Sequence, residues 1–328
     1  MREAAFIKNN KDKWEKIDEE TGDKNISAET LAENFIELTD DLSYARTFYP
    51  KSRTIKYLNR LTGRYFIDIY KFKKKEKGRF INFWKTELPV IMYKYRKNML
   101  YSFMFFMMGV LLGVFSQWQD PDFANLILGP TYVNQTIENI ERGDPMAVYK
   151  TSDEAPMFFM ISTNNIRVSF LAFIWGIFFS VGTVYVLFSN GVMVGVFQFF
   201  FFERGLLTTS TMSIWLHGTL EMSAIVIAGG AGLILGNSIL FPGSYKRITS
   251  LMMAGKDALK IVVGLIPVFL VAAFIESYWT RLTDMPIYFN LTVIGLSAIF
   301  IIWYFFYYPY RLNKKINGKT ESEVISNS

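Results

Sequence analysis

The sequence predicts an all-α polytopic membrane protein, with about six transmembrane helices behind an N-terminal helical cytoplasmic domain. Three observations carry this. The run 99–118 (MLYSFMFFMMGVLLGVFSQW) has no charged residue and is long enough to cross a hydrocarbon core of about 30 Å. Further apolar stretches follow it almost to the end of the 328 residues, of which 51% are hydrophobic and only 20% charged. The charge itself is segregated, most of it before residue 98 and in the connecting loops.

The first 97 residues form the predicted cytoplasmic domain. Apolar residues recur at helical spacing in 31–38 and 57–70, with no strand alternation and no glycine-rich phosphate loop. Residues 1–45 hold 6 basic and 12 acidic side chains, and residues 46–97 hold 16 basic and 3 acidic. The densest cluster is Lys71, Lys73, Lys74, Lys75, Lys77 and Arg79, interleaved with Phe72 and Phe80. A basic, aromatic segment just ahead of a membrane anchor reads as attraction to anionic lipid headgroups. No nucleic-acid module surrounds it, so nucleic acid is not an expected partner.

The membrane part runs over 98–310. The first span, 99–118, lies too far along the chain to be a cleavable leader and reads as an internal anchor. The apolar stretch 166–202 is too long for one helix, and Ser189-Asn190-Gly191 is turn chemistry. It divides into spans 167–188 and 191–203, with Asn190 and Gly191 as a hinge. If the second is a half-helix, 208–213 supplies the remaining length. Spans 214–240, 259–278 and 288–308 follow.

Basic residues fix the expected orientation. Lys94, Arg96 and Lys97 precede the first span. Lys246, Arg247 and Lys256 lie in the loop 241–257, and Arg311, Lys314, Lys315 and Lys319 in the tail 311–328. The loop 119–165 is acidic, with seven Asp or Glu from Asp120 to Glu154 against Arg142 and Lys150. The expectation is a multi-pass protein of the bacterial plasma membrane with both termini in the cytoplasm. The loop 119–165 includes an amphipathic helix over 132–140 and an interfacial segment over 155–163. It reads equally as a docking surface or as a cap on the bundle.

Composition excludes several chemistries. There is no cysteine, so disulfides, thiolate metal sites and cysteine nucleophiles are absent, and the single histidine, His217, cannot form a zinc site of the usual His/Cys kind. The segment HGTLE lacks the second histidine of a metalloprotease helix, and no GxSxG elbow is present. Neither an enzyme, a metal nor a cofactor is expected.

Ionisable residues inside spans are costly and mark function or packing. His217 and Glu221 lie four apart on one helical face, and Ala224, Ala228, Gly232 and Gly236 continue it. Small residues at that spacing let helices approach closely, so the pair is expected in a helix–helix seam. There it is either a packing staple or a protonatable gate and ligand site. Glu276, near the outer end of its span, either snorkels to the surface or joins the pair. Asn164, Asn165 and Arg167 open the second span as a cap and interface anchor, or as a site for an anionic group. Gly109/Gly113 and Gly191/Gly195 are further GxxxG pairs, which also allow a homo-oligomer.

These phrases carry a resemblance. FIKNNKDKWEKID at 6–18, DLSYARTFYPKS at 41–52, YLNRLTGRYFIDIY at 57–70, NNIRVSFLAFIWG at 164–176, SNGVMVG at 189–195 and LHGTLEMSAIVIAGGAGLILG at 216–236 resemble the stage II sporulation protein M family of bacterial membrane proteins. The last block departs from the family's proline-flanked pattern at Leu216 and Met222-Ser223. The resemblance implies a membrane anchor for a cell-envelope complex, as in peptidoglycan remodelling during engulfment. It also implies partners among membrane and envelope proteins, including MoxR-type ATPase systems, and no enzyme activity. The alternative from the residues alone is a transporter, channel or lipid-handling protein using the His217/Glu221 pair.

Overall fold

The computed structural model describes residues 3–20, 26–74, 78–150, 153–282 and 285–316. Every regular element among them is helical, as predicted. The chain divides into two compact units, Met1–Ile81 and Asn82–Ser328. The predicted boundary after residue 97 moves earlier because Leu88, Ile91 and Met92 are buried in the core of the second unit.

The first unit is built from α1 (Glu3–Glu19), α2 (Ala28–Phe48) and α3 (Arg53–Lys74). Ser27 caps α2 by accepting from the Thr30 amide. The predicted helical segments 31–38 and 57–70 fall within α2 and α3. Phe6, Trp14, Ile17, Leu38, Leu42, Leu58, Leu61 and Tyr65 form the core. Polar tips are satisfied at its edge. The Trp14 indole donates to Asp41 at 2.8 Å, the Tyr65 hydroxyl donates to the Ile17 carbonyl at 2.9 Å, and Arg64 pairs with Asp18. Trp14→Ala is expected to cost this unit about 3–5 kcal/mol through its cavity. Trp14→Phe keeps an aromatic ring in the core and should cost less, about 1–2 kcal/mol from the lost hydrogen bond and a smaller cavity. Limited proteolysis of the full chain reads the difference as cleavage before residue 82, and equal protection of both variants contradicts it. The side chains of the basic cluster Lys71, Lys73, Lys74, Lys75, Lys77 and Arg79 lie outside the described residues.

After α4 (Arg79–Asn82), a π turn Phe83–Glu87 and α5 (Leu88–Lys94) lead into the second unit. Its helices are α6 (Arg96–Gln119), α7 (Phe123–Leu128), α8 (Pro130–Glu141), α9 (Glu154–Ile174), α10 (Val181–Glu203), α11 (Leu207–Leu240), α12 (Arg247–Phe274) and α13 (Ile287–Ile302). Six helical stretches are long and apolar enough to cross a membrane: Arg96–Gln119, Glu154–Ile177, Val181–Glu203, Leu207–Leu240, Arg247–Trp279 and Ile287–Ile316.

Helix α11 is the central rod. Ala224, Ala228, Gly232 and Gly236 are all buried. A Cβ on Gly232 would strike the Ala172 carbonyl and Thr183, and one on Gly236 would strike Ser180. The small-residue face is therefore where the α9–α10 hairpin meets α11, as the spacing predicts. The two GxxxG pairs meet each other. A Cβ on Gly109 or Gly113 would collide with the α10 backbone, and one on Gly191 or Gly195 with the α6 backbone. Both of these faces are consumed inside the chain.

Several predicted boundaries are corrected. Asn190 and Gly191 are not a hinge: α10 is continuous from Val181 to Glu203. The Asn190 side chain donates to the Val186 carbonyl one turn back at 2.8 Å, and Gly191 is a contact point for α6. The break lies earlier, where Phe179 and Ser180 take positive φ (53° and 67°) and the Ser180 amide bonds to the Gly176 carbonyl at 3.0 Å. The spans 167–188 and 191–203 are thus replaced by Glu154–Ile177 and Val181–Glu203. Segment 155–163 belongs to α9 rather than to an interfacial piece of the loop 119–165. Residues 208–213 belong to α11 and do not extend α10. Helix α8 matches the predicted amphipathic helix. Ala124, Val133 and Met146 pack on Val192, Val196, Phe200 and Phe201, so α7 and α8 cap the C-terminal half of α10. We call this the loop end of the bundle.

Candidate functional site

Three helices bring polar side chains to one place. His217 and Glu221 stand one turn apart on α11. Glu276 lies in a π turn, Ile275–Trp279, that ends α12. Asn165 comes from α9. His217 and Glu221 are 4% and 5% exposed, and the Glu276 side chain is 14% exposed. One ligating atom from each of His217, Glu221 and Glu276 lies within 4.8 Å of the others. Glu276 therefore joins the pair and does not snorkel away.

The hydrogen bonds fix how these groups point. Asn165 Nδ2 donates to Glu221 Oε1 at 2.6 Å. Thr280 Oγ1 donates its one proton to the Ile275 carbonyl at 3.4 Å. The same hydroxyl lies 3.0 Å from His217 Nδ1 and hydrogen-bonds it. The imidazole is thus held through Nδ1, and Nε2 is turned toward Glu276 Oε1 at 3.7 Å. The π turn creates this geometry. Its widened ring bonds the Thr280 amide to the Ile275 carbonyl at 3.0 Å and presents Glu276 and Thr280 to the same imidazole. Such turns recur at functional sites.

A cavity of about 350 Å³ reaches His217 and Glu221. Met193, Val194, Phe197 and Gln198 of α10 line one wall, and Ile127, Leu128 and Tyr132 of the α7–α8 cap line another. The lining is apolar except for Gln198, His217, Glu221 and the Tyr132 hydroxyl, and burial pushes the Tyr132 phenol up. At the loop end Arg281, next to Thr280, pairs with Glu154 at the start of α9.

The remaining predicted residues fall elsewhere. Asn164 and Arg167 do not cap a span: α9 begins at Glu154, behind Asp153. Both are exposed, and they lie well inside the helix. The predicted trio is split, with Asn165 facing the cluster and its neighbours facing outward. Asn190 and Gly191 take no part in the site. Thr280 and Arg281 were not singled out from sequence. A threonine following a π turn carries no signal in composition or periodicity.

An all-helical bundle with six membrane-length apolar helices and a polar cluster buried where three of them meet is a multi-pass membrane protein. The family model described as stage II sporulation protein M matches residues 102–281, more than half of the chain, and the chain belongs to that family. A second model, a domain of unknown function (DUF8413), matches residues 4–71. No curated protein and no solved structure matches the chain.

Proposed function

We propose that the protein is a non-enzymatic membrane scaffold that anchors a membrane or cell-envelope complex, and that a partner's transmembrane helix docks on α9. One observation carries this reading. Met160, Asn164, Arg167, Leu171 and Ile174 recur every three or four residues along α9 and are all exposed. Arg167 sits about 20 Å along the helix from Glu154 and about 15 Å from Ile177, at 1.5 Å per residue. An arginine at that depth facing acyl chains costs about 2.5–3.5 kcal/mol. A partner helix offering a carboxylate or amide removes that cost, and the 3–4 spacing matches a helix-packing seam. The basic residues flanking α6 and α13 favour cytoplasmic termini in a bacterial plasma membrane. Family resemblance points to envelope proteins and MoxR-type ATPase systems as partners.

The test is affinity purification from native membranes of the wild type and Arg167→Leu. Membrane proteins that co-purify with the wild type should fall at least tenfold with Arg167→Leu, at unchanged yield of the bait. A second copy of the chain counts among them. An unchanged set of co-purifying proteins overturns the reading. The cavity at His217 and Glu221 favours one second reading, passage or binding of a small amphipathic molecule. Flux in proteoliposomes that is lost in His217→Ala would support that reading over the scaffold.

A further inference from the structure

The cluster on α9, α11 and α12 has an unusual polarity. Asn165 and Thr280 orient its groups from behind, and groups able to ligate a metal converge in front of them. Asn165 holds one oxygen of Glu221, and Thr280 holds Nδ1 of His217. What lies at the centre is an imidazole, with Nε2 toward Glu276, and two carboxylates, one ligating atom of each of the three residues lying within 4.8 Å of the others. Two carboxylates this close in a dry site need a proton or a cation between them, and a divalent cation is the species that can engage both carboxylates and the imidazole at once. Arg281, the nearest cation in sequence, is directed to Glu154.

We propose that His217, Glu221 and Glu276 bind one divalent first-row transition cation of the Zn²⁺ or Mn²⁺ class. The ligand set selects the class. An imidazole nitrogen with two carboxylate oxygens suits Zn²⁺, Mn²⁺ or Fe²⁺, whereas Mg²⁺ and Ca²⁺ prefer all-oxygen shells. Two carboxylates and a divalent ion sum to zero charge, which a low-dielectric interior favours; a monovalent ion leaves a residual negative charge. Ligands about 2.0–2.2 Å from a metal lie roughly 3.4 Å apart, so binding would draw these side chains inward from separations of up to 4.8 Å. Thr280 supplies the support behind the imidazole that ligating histidines ordinarily have. The cavity beside His217 and Glu221 leaves a coordination position open to water or to a small ligand. This inference rests on the interior of the bundle and is independent of the docking face on α9.

The test uses the full chain in detergent or nanodiscs, stripped with a chelator and dialysed against Zn²⁺. Elemental mass spectrometry counts the metal, and Co²⁺ visible absorption reports its coordination. The wild type should hold one Zn²⁺ per chain and show a saturable Co²⁺ spectrum, with Mg²⁺ unable to displace either. Glu276→Gln and His217→Gln should weaken binding by about 100-fold or more, and Thr280→Val by about 10–100-fold. Arg167→Leu should bind as the wild type does. Zn²⁺ should raise the melting temperature of the wild type and leave that of Glu276→Gln unchanged. Folded wild-type protein that takes up no stoichiometric Zn²⁺ overturns the proposal, whatever the variants do. So does equal binding by folded Glu276→Gln.

Discussion

Gly191→Leu is expected to abolish the folded bundle. The α6–α10 contact is made by backbones in touch. A single Cβ on Gly191 would already strike the Phe106 carbonyl and crowd Gly109, and the obstacle is main chain, which cannot swing aside as a side-chain tip can. Gly191→Ala should cost about 1–3 kcal/mol, the usual range for overpacking. Leucine adds four carbons where one does not fit, so the helices must separate. That separation would uncover Ser102, whose hydroxyl donates to the Val226 carbonyl at 2.5 Å, and would loosen the cap that α7 and α8 place on α10. Met193→Leu, two residues away on the 39% exposed side of α10, is the matched control and should be neutral. The measurement is the monodisperse fraction after detergent extraction, with the melting temperature of what survives. Gly191→Leu that purifies and melts like the control would show that α6 and α10 do not pack through these glycines.

The same glycine shows what the sequence does and does not disclose. The six membrane-length segments are legible because their signal is additive, a long window without charge that no single residue can cancel. The face His217–Glu221–Ala224–Ala228–Gly232–Gly236 is legible because it follows from helical period alone. The division of 166–202 is not. Ser189-Asn190-Gly191 is a turn in water, where the amide of Asn190 and the freedom of Gly191 favour leaving the helix. Among apolar neighbours the balance reverses. The Asn190 amide bonds the carbonyl one turn back, and Gly191 gains most by letting α6 approach. The true turn at Phe178–Ser180 carries no proline, glycine or charge, and it is set by Gly176 packing on the Gly232 backbone, a contact between distant residues. The start of α9 was hidden for a related reason. Pro156 and the polar run Ser162-Thr163-Asn164-Asn165 lower its hydrophobicity, yet Thr163 bonds back to the Phe159 carbonyl and Asn165 finds a buried carboxylate. In the site itself, two of the three converging residues were paired by spacing. The third, Glu276, and its neighbour Thr280 reach His217 through a π turn, a one-residue change of register that residue pattern does not encode.

The second large effect concerns the bond that ties α9 to α11. Asn165→Leu removes the donor that satisfies Glu221 Oε1 at 2.6 Å and leaves a 5% exposed carboxyl short of a partner. The cost should be about 1–3 kcal/mol, the penalty of stranding a buried polar group. Glu221→Leu strands the amide of Asn165 in turn, and relieves Glu276 of a facing carboxylate, so its cost should be smaller. The decisive variant is the double one. With both groups replaced by leucine neither is stranded, and the double variant should be more stable than the sum of the single losses by about 0.5–3 kcal/mol. Reversible denaturation in mixed micelles measures the cycle. The coupling also separates the two roles this cluster can have. If its only task is to staple helices together, an apolar replacement of both partners restores most of the stability and leaves the proposed scaffold role intact. If the cluster holds a cation, the same double variant regains its fold and still loses Zn²⁺, because a ligand has gone even though the seam is repaired. Additive losses would mean that Asn165 and Glu221 do not interact, and the arrangement of α9 against α11 would need to be redrawn.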